Sequence, residues 1–272
     1  MTVRVVSRVR FLAAVVFTAL ALGGCKTTGS TEATGSISSG SRSEADWRRD
    51  SEALADKFRA NPRDADNAVR YAQALRATGQ RTQATAVLET AALHNPDDKF
   101  LLGAYGRALA DAGNFKQALG VLERAHSPDQ PDWRILSVQG AVMDQMGRHA
   151  DAQRYYASAL RIVPDEPSVL SNLGLSYALS KDLKRAEETL LRASAKGSVD
   201  KRVRQNLALV VGLQGRFQEA ETIARADLPE TEAAANVAYL RQLLAQKGNG
   251  NLKKTIRSRA VDGLEPVDES GS

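Results

Sequence analysis

Small and apolar residues recur along positions 65–234 of this 272-residue chain at a constant step of 34. Apolar positions at helical spacing are separated by glycines and prolines, which end one helical stretch before the next begins. A fixed period of this length indicates stacked helix-turn-helix units. One column of the repeat is alanine throughout: Ala84, Ala118, Ala152, Ala186 and Ala220.

A second column, in the first helix of each unit, is always small: Ala72, Gly106, Gly140, Gly174 and Ala208. A larger side chain in either column would overpack the contact between the two helices of a unit, at a cost of about 1–3 kcal/mol. We therefore interpret both columns as helix-packing positions. A third column is predicted to end the first helix in a left-handed conformation that suits glycine. It contains Gly79, Gly113, Gly147 and Gly215, with Lys181 in the fourth unit.

The order of these columns resembles the tetratricopeptide repeat. The fourth unit carries the fullest set, with Leu173, Gly174, Tyr177, Ala186 and Ala193. The resemblance implies an all-α, right-handed superhelical solenoid of about five repeats. By this numbering the repeats span 65–98, 99–132, 133–166, 167–200 and 201–234. The fifth repeat departs from the pattern at Asp227, which stands in a column that is otherwise alanine.

Two flanking helices extend the predicted solenoid to residues 44–246. Trp47, Leu54 and Phe58 lie at helical spacing before Pro62, so residues 44–60 are predicted to form a preceding helix. Residues 231–246 are predicted to pack as a cap helix, because terminal units of such arrays are usually atypical. We assign no structure to the tail 247–272, in which a basic cluster at 253–259 precedes an acidic end.

The first 24 residues have the features of a secretory signal. Arg4, Arg8 and Arg10 precede an apolar run from Phe11 to Leu22. This run is shorter than the roughly 17–25 residues that span a bilayer, and it fits the apolar region of a signal peptide. Residues 25–43 are rich in serine, threonine and glycine, so they are predicted to form a flexible tether.

The single cysteine, Cys25, directly follows Leu22-Gly23-Gly24. This arrangement resembles the bacterial lipobox, which implies cleavage before Cys25 and attachment of a diacylglycerol to its sulfur. More than one acyl chain gives a stable membrane anchor. Lys26 follows the cysteine, and the absence of aspartate there favours the outer membrane, facing the periplasm. The alternative is an uncleaved signal anchor with an unmodified cysteine.

Charge and composition argue against a nucleic-acid-binding protein or an enzyme. The chain has 37 basic and 32 acidic residues, and loss of residues 1–24 would leave a formal charge of +2, too small for a nucleic-acid footprint. His94, His126 and His149 fall in different repeat columns, and none has the spacing of a metal site. We therefore expect no catalytic residue, metal, cofactor or small-molecule substrate.

In the tetratricopeptide family, the first helix of each repeat lines a concave groove. Carried over by column, this family property places Arg76, Arg107, Arg134 and Arg202 on the inner surface, with Gln73, Ser137, Asp144 and Gln205 between them. In repeats four and five the groove columns hold Leu175, Leu179, Leu209 and Leu213. We predict a partner groove with an arginine-bearing N-terminal half and an exposed apolar C-terminal half. The alternative is that the cap helix or the superhelix itself covers these leucines.

Three families of envelope lipoproteins with such repeats fit the chain. It most resembles the TadD family of tight-adherence (Flp) pilus assembly lipoproteins, through Lys26, the polar tether and the ending Asn236-Val-Ala-Tyr239-Leu-Arg. That resemblance implies a scaffold whose partners are an outer-membrane secretin or pilus assembly components. The alternatives are a secretin pilotin of type IV pili and an adaptor for outer-membrane protein assembly or peptidoglycan hydrolases.

Overall fold

The computed structural model describes residues 43–195 and 200–245, which form twelve α-helices with no strand among them. The predicted signal peptide 1–24, Cys25, nearly all of the tether and the tail 247–272 lie outside the described residues. The helices are α1 (Glu44–Ala60), α2 (Ala65–Ala77), α3 (Arg81–His94), α4 (Lys99–Asp111), α5 (Phe115–Arg124), α6 (Trp133–Gln145), α7 (His149–Ile162), α8 (Pro167–Leu179), α9 (Leu183–Ser194), α10 (Lys201–Leu213), α11 (Phe217–Ala224) and α12 (Glu230–Ala245).

Helices α2 to α11 form five consecutive pairs with the same internal register. The first helix of each pair begins at the first residue of a 34-residue unit, and the second begins sixteen residues later. The predicted all-α repeat architecture is thus confirmed. Every pair packs on the next, so the core runs along the array as a chain of buried clusters.

An acidic residue caps the start of every first helix in this array. Each side chain accepts a hydrogen bond from a backbone N–H of the first turn, which has no partner within the helix. The five caps stand 34 residues apart: Asp64, Asp98, Asp132, Glu166 and Asp200. This column was a periodic signal in the sequence, and it marks where each repeat begins.

The first helices end as the sequence predicts, in a left-handed residue. Gly79, Gly113, Gly147 and Gly215 have φ between 78° and 84°. Lys181 adopts φ 69° in the same column, although it carries a side chain. Its N–H still donates to Ala178 O, so the turn keeps the hydrogen bond that glycine makes in the other repeats.

The small column of the first helices faces one large residue of the second helix. A Cβ added at Gly106, Gly140 or Gly174 would lie 2.5–2.7 Å from atoms of Leu122, Tyr156 or Leu190 respectively. These three large side chains are fully buried. The alanine column packs beside them, and all five of its residues have no solvent exposure.

The flanking helices pack at the two ends of the five pairs. Helix α1 packs on α2, where the rings of Phe58 and Tyr71 lie 5.9 Å apart, and Asn67 Nδ2 donates to Leu54 O at 3.4 Å. Helix α12 is the predicted cap helix, with its bounds one residue earlier than the predicted 231–246. It contacts α10 and α11. Near it, Asp227 accepts two hydrogen bonds from Arg204, at 2.5 and 2.7 Å. The unusual Asp227 therefore ties the end of the fifth repeat to α10.

Candidate interaction surface

The predicted groove residues lie on the first helices, α2, α4, α6, α8 and α10, as the column assignment places them. The two halves of this surface differ in solvent exposure. Phe100 and Arg134 are exposed on repeats two and three, whereas the leucines of repeats four and five are packed in one cluster with Leu240 of α12.

Arg76 connects the first two repeats. Its Nε donates to Asp111 Oδ2 at 2.5 Å, and the two side chains are only 17% and 7% exposed. The second oxygen of this carboxylate, Asp111 Oδ1, is buried and receives no hydrogen bond from any described residue. An ion pair with so little solvent access is screened much less than a surface pair, so it holds the Arg76 guanidinium in one place.

Arg107 lies half-buried on α4 and interacts electrostatically with charged side chains of repeats one to three. The pKa of Arg107 is lowered to about 10, chiefly by burial and also by the positive charges of Arg76 and Arg134, while Asp111 and Asp132 act in the opposite direction. The structure therefore brings Arg76, Arg107 and Arg134 together, on three successive repeats.

Arg134 is exposed at the start of α6, and its guanidinium carbon lies 4.7 Å from the ring centroid of Trp133. That distance is within the range of a cation–π contact. Phe100 occupies the same repeat position as Arg134, one repeat earlier, and is 55% exposed. The sequence analysis named neither Phe100 nor Trp133, although Phe100 shares its repeat column with the predicted groove residues Arg134 and Arg202.

Arg202, the fourth predicted arginine, stands apart from these three. It lies at the start of α10 in repeat five, and its guanidinium lies 3.3 Å from Asp200, the cap of the same helix. Gln73 and Gln205 are half-buried on α2 and α10.

The prediction of an exposed apolar half was wrong. Leu175, Leu179 and Leu209 are buried in one cluster with Leu240 of α12, and Leu213 is partly buried against it. The close approach depends on Gly212, where an added Cβ would lie 2.5 Å from Leu240 Cδ2. Helix α12 covers these leucines because burial removes their apolar surface from water. The sequence signal for this close contact was Gly212, a glycine within helix α10.

Ser137 and Asp144, predicted to line the groove, are buried between repeats instead. Asp144 Oδ1 lies 2.7 Å from His149 Nδ1 and accepts from Ser176 Oγ at 2.9 Å, while Tyr156 OH donates to Oδ2 at 3.3 Å. Burial raises the pKa of Asp144, although these hydrogen bonds act in the opposite direction. The cluster links α6, α7 and α8, so it holds repeats three and four together.

Two hydrogen bonds repeat this kind of link along the array. Asn172 Nδ2 donates to Ser137 Oγ at 3.3 Å, and Asn206 Nδ2 donates to Ser171 Oγ at 2.9 Å. Each joins neighbouring first helices, and all four side chains are buried. These asparagines are therefore structural residues of the array.

Within residues 43–195 and 200–245, no helix has the length and apolar character to cross a membrane, and no three potential ligand side chains cluster as a metal site.

Two family models match the chain. Residues 145–210 match the model described as tetratricopeptide repeat, and residues 49–125 match the model described as anaphase-promoting complex, cyclosome, subunit 3. A comparison with curated proteins found no match.

Solved structures with related folds include two from pilus systems. One is described as PilW, a widely conserved type IV pilus biogenesis factor (TM-score 0.59, 18% identity, 71% of this chain and 91% of that chain covered). Another is pilF of Pseudomonas aeruginosa (0.50, 18%, 76% and 89%). A third is the APC/C hetero-tetramer Cut9-Hcn1 (0.58, 16%, 81% and 43%). At these identities the likeness shows the fold alone.

Proposed function

We propose that this tetratricopeptide-repeat protein is a lipid-anchored scaffold that assembles a Flp/Tad-type pilus or its outer-membrane secretin. Repeats of this family are protein-interaction modules, and a scaffold function needs only an accessible binding surface. The observation that carries the proposal is the accessible surface on repeats two and three, where Phe100 and Arg134 are both exposed.

The membrane anchor in this proposal rests on the sequence. Lipid on Cys25 would hold the array at the outer membrane, facing the periplasm, with residues 25–43 as the tether. A tether of this composition lets the array reach partners without fixing its orientation. The scaffold would therefore meet envelope proteins at the membrane surface.

The choice of a pilus rests on resemblance. The segment Asn236-Val-Ala-Tyr239-Leu-Arg, Lys26 and the polar tether resemble the TadD family. The related folds described as a type IV pilus biogenesis factor and as pilF make a pilus system the first to test.

The test compares the wild-type chain with Cys25→Ala in cells that produce Flp-type pili. We expect the variant to fold normally, to leave the membrane fraction and to lose surface pili. Crosslinking in the native envelope, followed by mass spectrometry, should enrich a secretin and Tad components with the wild type only. Normal pili from Cys25→Ala would contradict the proposal, and enrichment of wall hydrolases or outer-membrane assembly proteins would replace the pilus with the adaptor alternative.

A further inference from the structure

We propose that Arg76, Phe100, Arg107, Trp133 and Arg134 form a binding surface for an acidic polypeptide segment of the protein that this scaffold holds. We call these five residues the arginine–aromatic surface. The inference rests on the proposed scaffold function and names the chemistry of the partner.

The first argument is charge. Three guanidinium groups, on Arg76, Arg107 and Arg134, share their surroundings with two carboxylates, on Asp111 and Asp132. Asp132 is already engaged, since its Oδ1 accepts from the N–H of Arg134 at 2.7 Å as the cap of α6. Asp111 is engaged by Arg76. Among these five groups, guanidiniums therefore outnumber carboxylates by three to two, and a partner carboxylate would bring the charges closer to balance.

Position adds to this argument. Guanidinium groups bind carboxylates through two parallel N–H donors when they are held in place beforehand. Arg76 is held by Asp111, and the Arg134 guanidinium lies over the ring of Trp133. Arg76 and Arg134 are thus positioned before any partner arrives, which reduces the entropy lost on binding.

The aromatic residues indicate that the partner is a polypeptide. Phe100 is more than half exposed, and Trp133 is half-buried beside Arg134. Exposed large apolar side chains next to charged ones are typical of protein-binding sites. Aliphatic side chains between the acidic residues of a partner would pack on these rings.

The covering of the leucine cluster limits where the partner binds. Helix α12 occupies the inner side of repeats four and five through Leu240, whose neighbours are Leu175, Leu179 and Leu209. The apolar inner positions of repeats four and five are therefore covered, although the Arg202 side chain in repeat five stays 40% exposed. The exposed aromatic and guanidinium groups that a partner can reach together are those of Phe100 and Arg134, on repeats two and three.

The surface contains its own spectroscopic reporter. The chain has two tryptophans, so Trp47→Phe leaves Trp133 as the only one. The full chain with this change, purified in detergent, can be titrated with a peptide of about 12 residues in which glutamate alternates with leucine or alanine. Two matched peptides carry glutamine or lysine at the glutamate positions. The emission of Trp133 reports binding directly.

We expect the glutamate peptide to bind at least about tenfold more tightly than the glutamine peptide, with affinity falling in about 0.5 M NaCl. Arg134→Glu should reduce the affinity for the glutamate peptide about tenfold or more and should reverse the preference toward the lysine peptide. Phe100→Ala should weaken binding about threefold or more. Arg161→Glu is the matched control on the exposed side of α7, and it should change affinity less than about twofold.

Equal binding of the glutamate and glutamine peptides would overturn the inference, as would equal effects of Arg134→Glu and Arg161→Glu. Vesicles of phosphatidylglycerol that bind with the same dependence on Arg134 would assign the surface to lipid instead. A peptide of residues 262–272, the acidic end of the chain, is also titrated. If it bound as tightly as the glutamate peptide, the surface would be assigned to the tail of this chain. If the chain captures pilus components but does not prefer the glutamate peptide, only this inference fails. If it prefers the glutamate peptide but captures no pilus components, only the proposed pilus function fails.

Discussion

At the scale of single residues, the backbone conformation at the end of each first helix shows what a repeat position demands. Four of these positions are glycine with φ near 80°, and the fifth is Lys181 with φ 69°. A side chain in the left-handed region costs about 1–2 kcal/mol. The remaining contacts of repeat four therefore compensate for a local strain that the other repeats avoid at this position.

Replacing Lys181 with glycine should relieve that strain. We expect Lys181→Gly to raise the free energy of unfolding by up to about 1 kcal/mol, because the left-handed conformation costs glycine little. Urea denaturation measures the change. The same substitution within helix α1, Lys57→Gly, should instead destabilise the protein by about 1 kcal/mol. Destabilisation by both changes would show that φ at 181 is not the source of strain.

The buried carboxyl of Asp144 should make stability depend on pH. Its pKa is raised in the folded state, chiefly by burial, so the folded chain binds this proton more tightly than the unfolded chain. The stability it contributes is present below the unfolded pKa and is lost as the pH rises through the folded pKa. Relative to Asp144→Asn, the wild type should therefore become less stable as the pH rises above about 4, by at most about 1.4 kcal/mol per pH unit, until the pH has passed the raised folded-state pKa.

A second carboxyl provides a control of opposite sign. The backbone N–H and the guanidinium of Arg185 lower the pKa of Asp182. Stability from this group is present above its unfolded pKa and is lost as the pH falls, so the wild type should gain relative to Asp182→Asn as the pH rises. Parallel curves for wild type and Asp144→Asn would show that the buried cluster does not couple folding to pH.

At the scale of elements, α12 decides which part of the inner surface a partner can reach. Its residue Leu240 is buried against Gly212 and the leucines of α8 and α10. The adjacent Tyr239 is 58% exposed. The face of α12 that carries Leu240 therefore packs on the array, whereas the adjacent Tyr239 is mostly exposed to solvent.

Truncating Leu240 should loosen α12 and uncover the leucine cluster. We expect Leu240→Ala to destabilise the protein by about 2–5 kcal/mol, the range for a buried leucine. Hydrogen exchange should quicken in α10 and α12, and an apolar dye should bind more strongly. The neighbouring substitution Tyr239→Ala should change stability by less than about 0.5 kcal/mol, because that side chain is exposed. Equal effects of the two changes would contradict the assigned face of α12.

At the scale of the whole molecule, stability should be a sum over neighbouring units. Gly140 meets Tyr156 in repeat three, whereas Gly212 meets Leu240 beyond repeat five. The two sites share none of these contacts, and the helices of repeat four separate them along the array. Repeat arrays of this kind transmit a perturbation mainly to adjacent units.

The effects of Gly140→Ala and Gly212→Ala should therefore add. Each change should destabilise the chain by about 1–3 kcal/mol through overpacking, and the double variant should equal their sum within about 0.5 kcal/mol. Urea unfolding of the four proteins tests this. Gly120→Ala is the control, since a Cβ there meets nothing within 4 Å, and alanine should stabilise helix α5 by about 0.5–1 kcal/mol. A large coupling energy would mean that the array behaves as one rigid unit.

The sequence by itself determined the repeat architecture, because helix spacing, glycine ends and small packing columns are local properties that recur every 34 residues. It also identified the column in which Lys181 adopts a left-handed conformation. Tertiary structure alone decided which inward positions remain accessible. Leu175 and Leu209 belong to the same columns as Arg107, yet they are buried because α12 folds over them. Asp144 shares a column with Arg76, yet it is buried because His149, Ser176 and Tyr156 converge on it. Burial depends on what other segments pack against a position, and the repeat period carries no information about that.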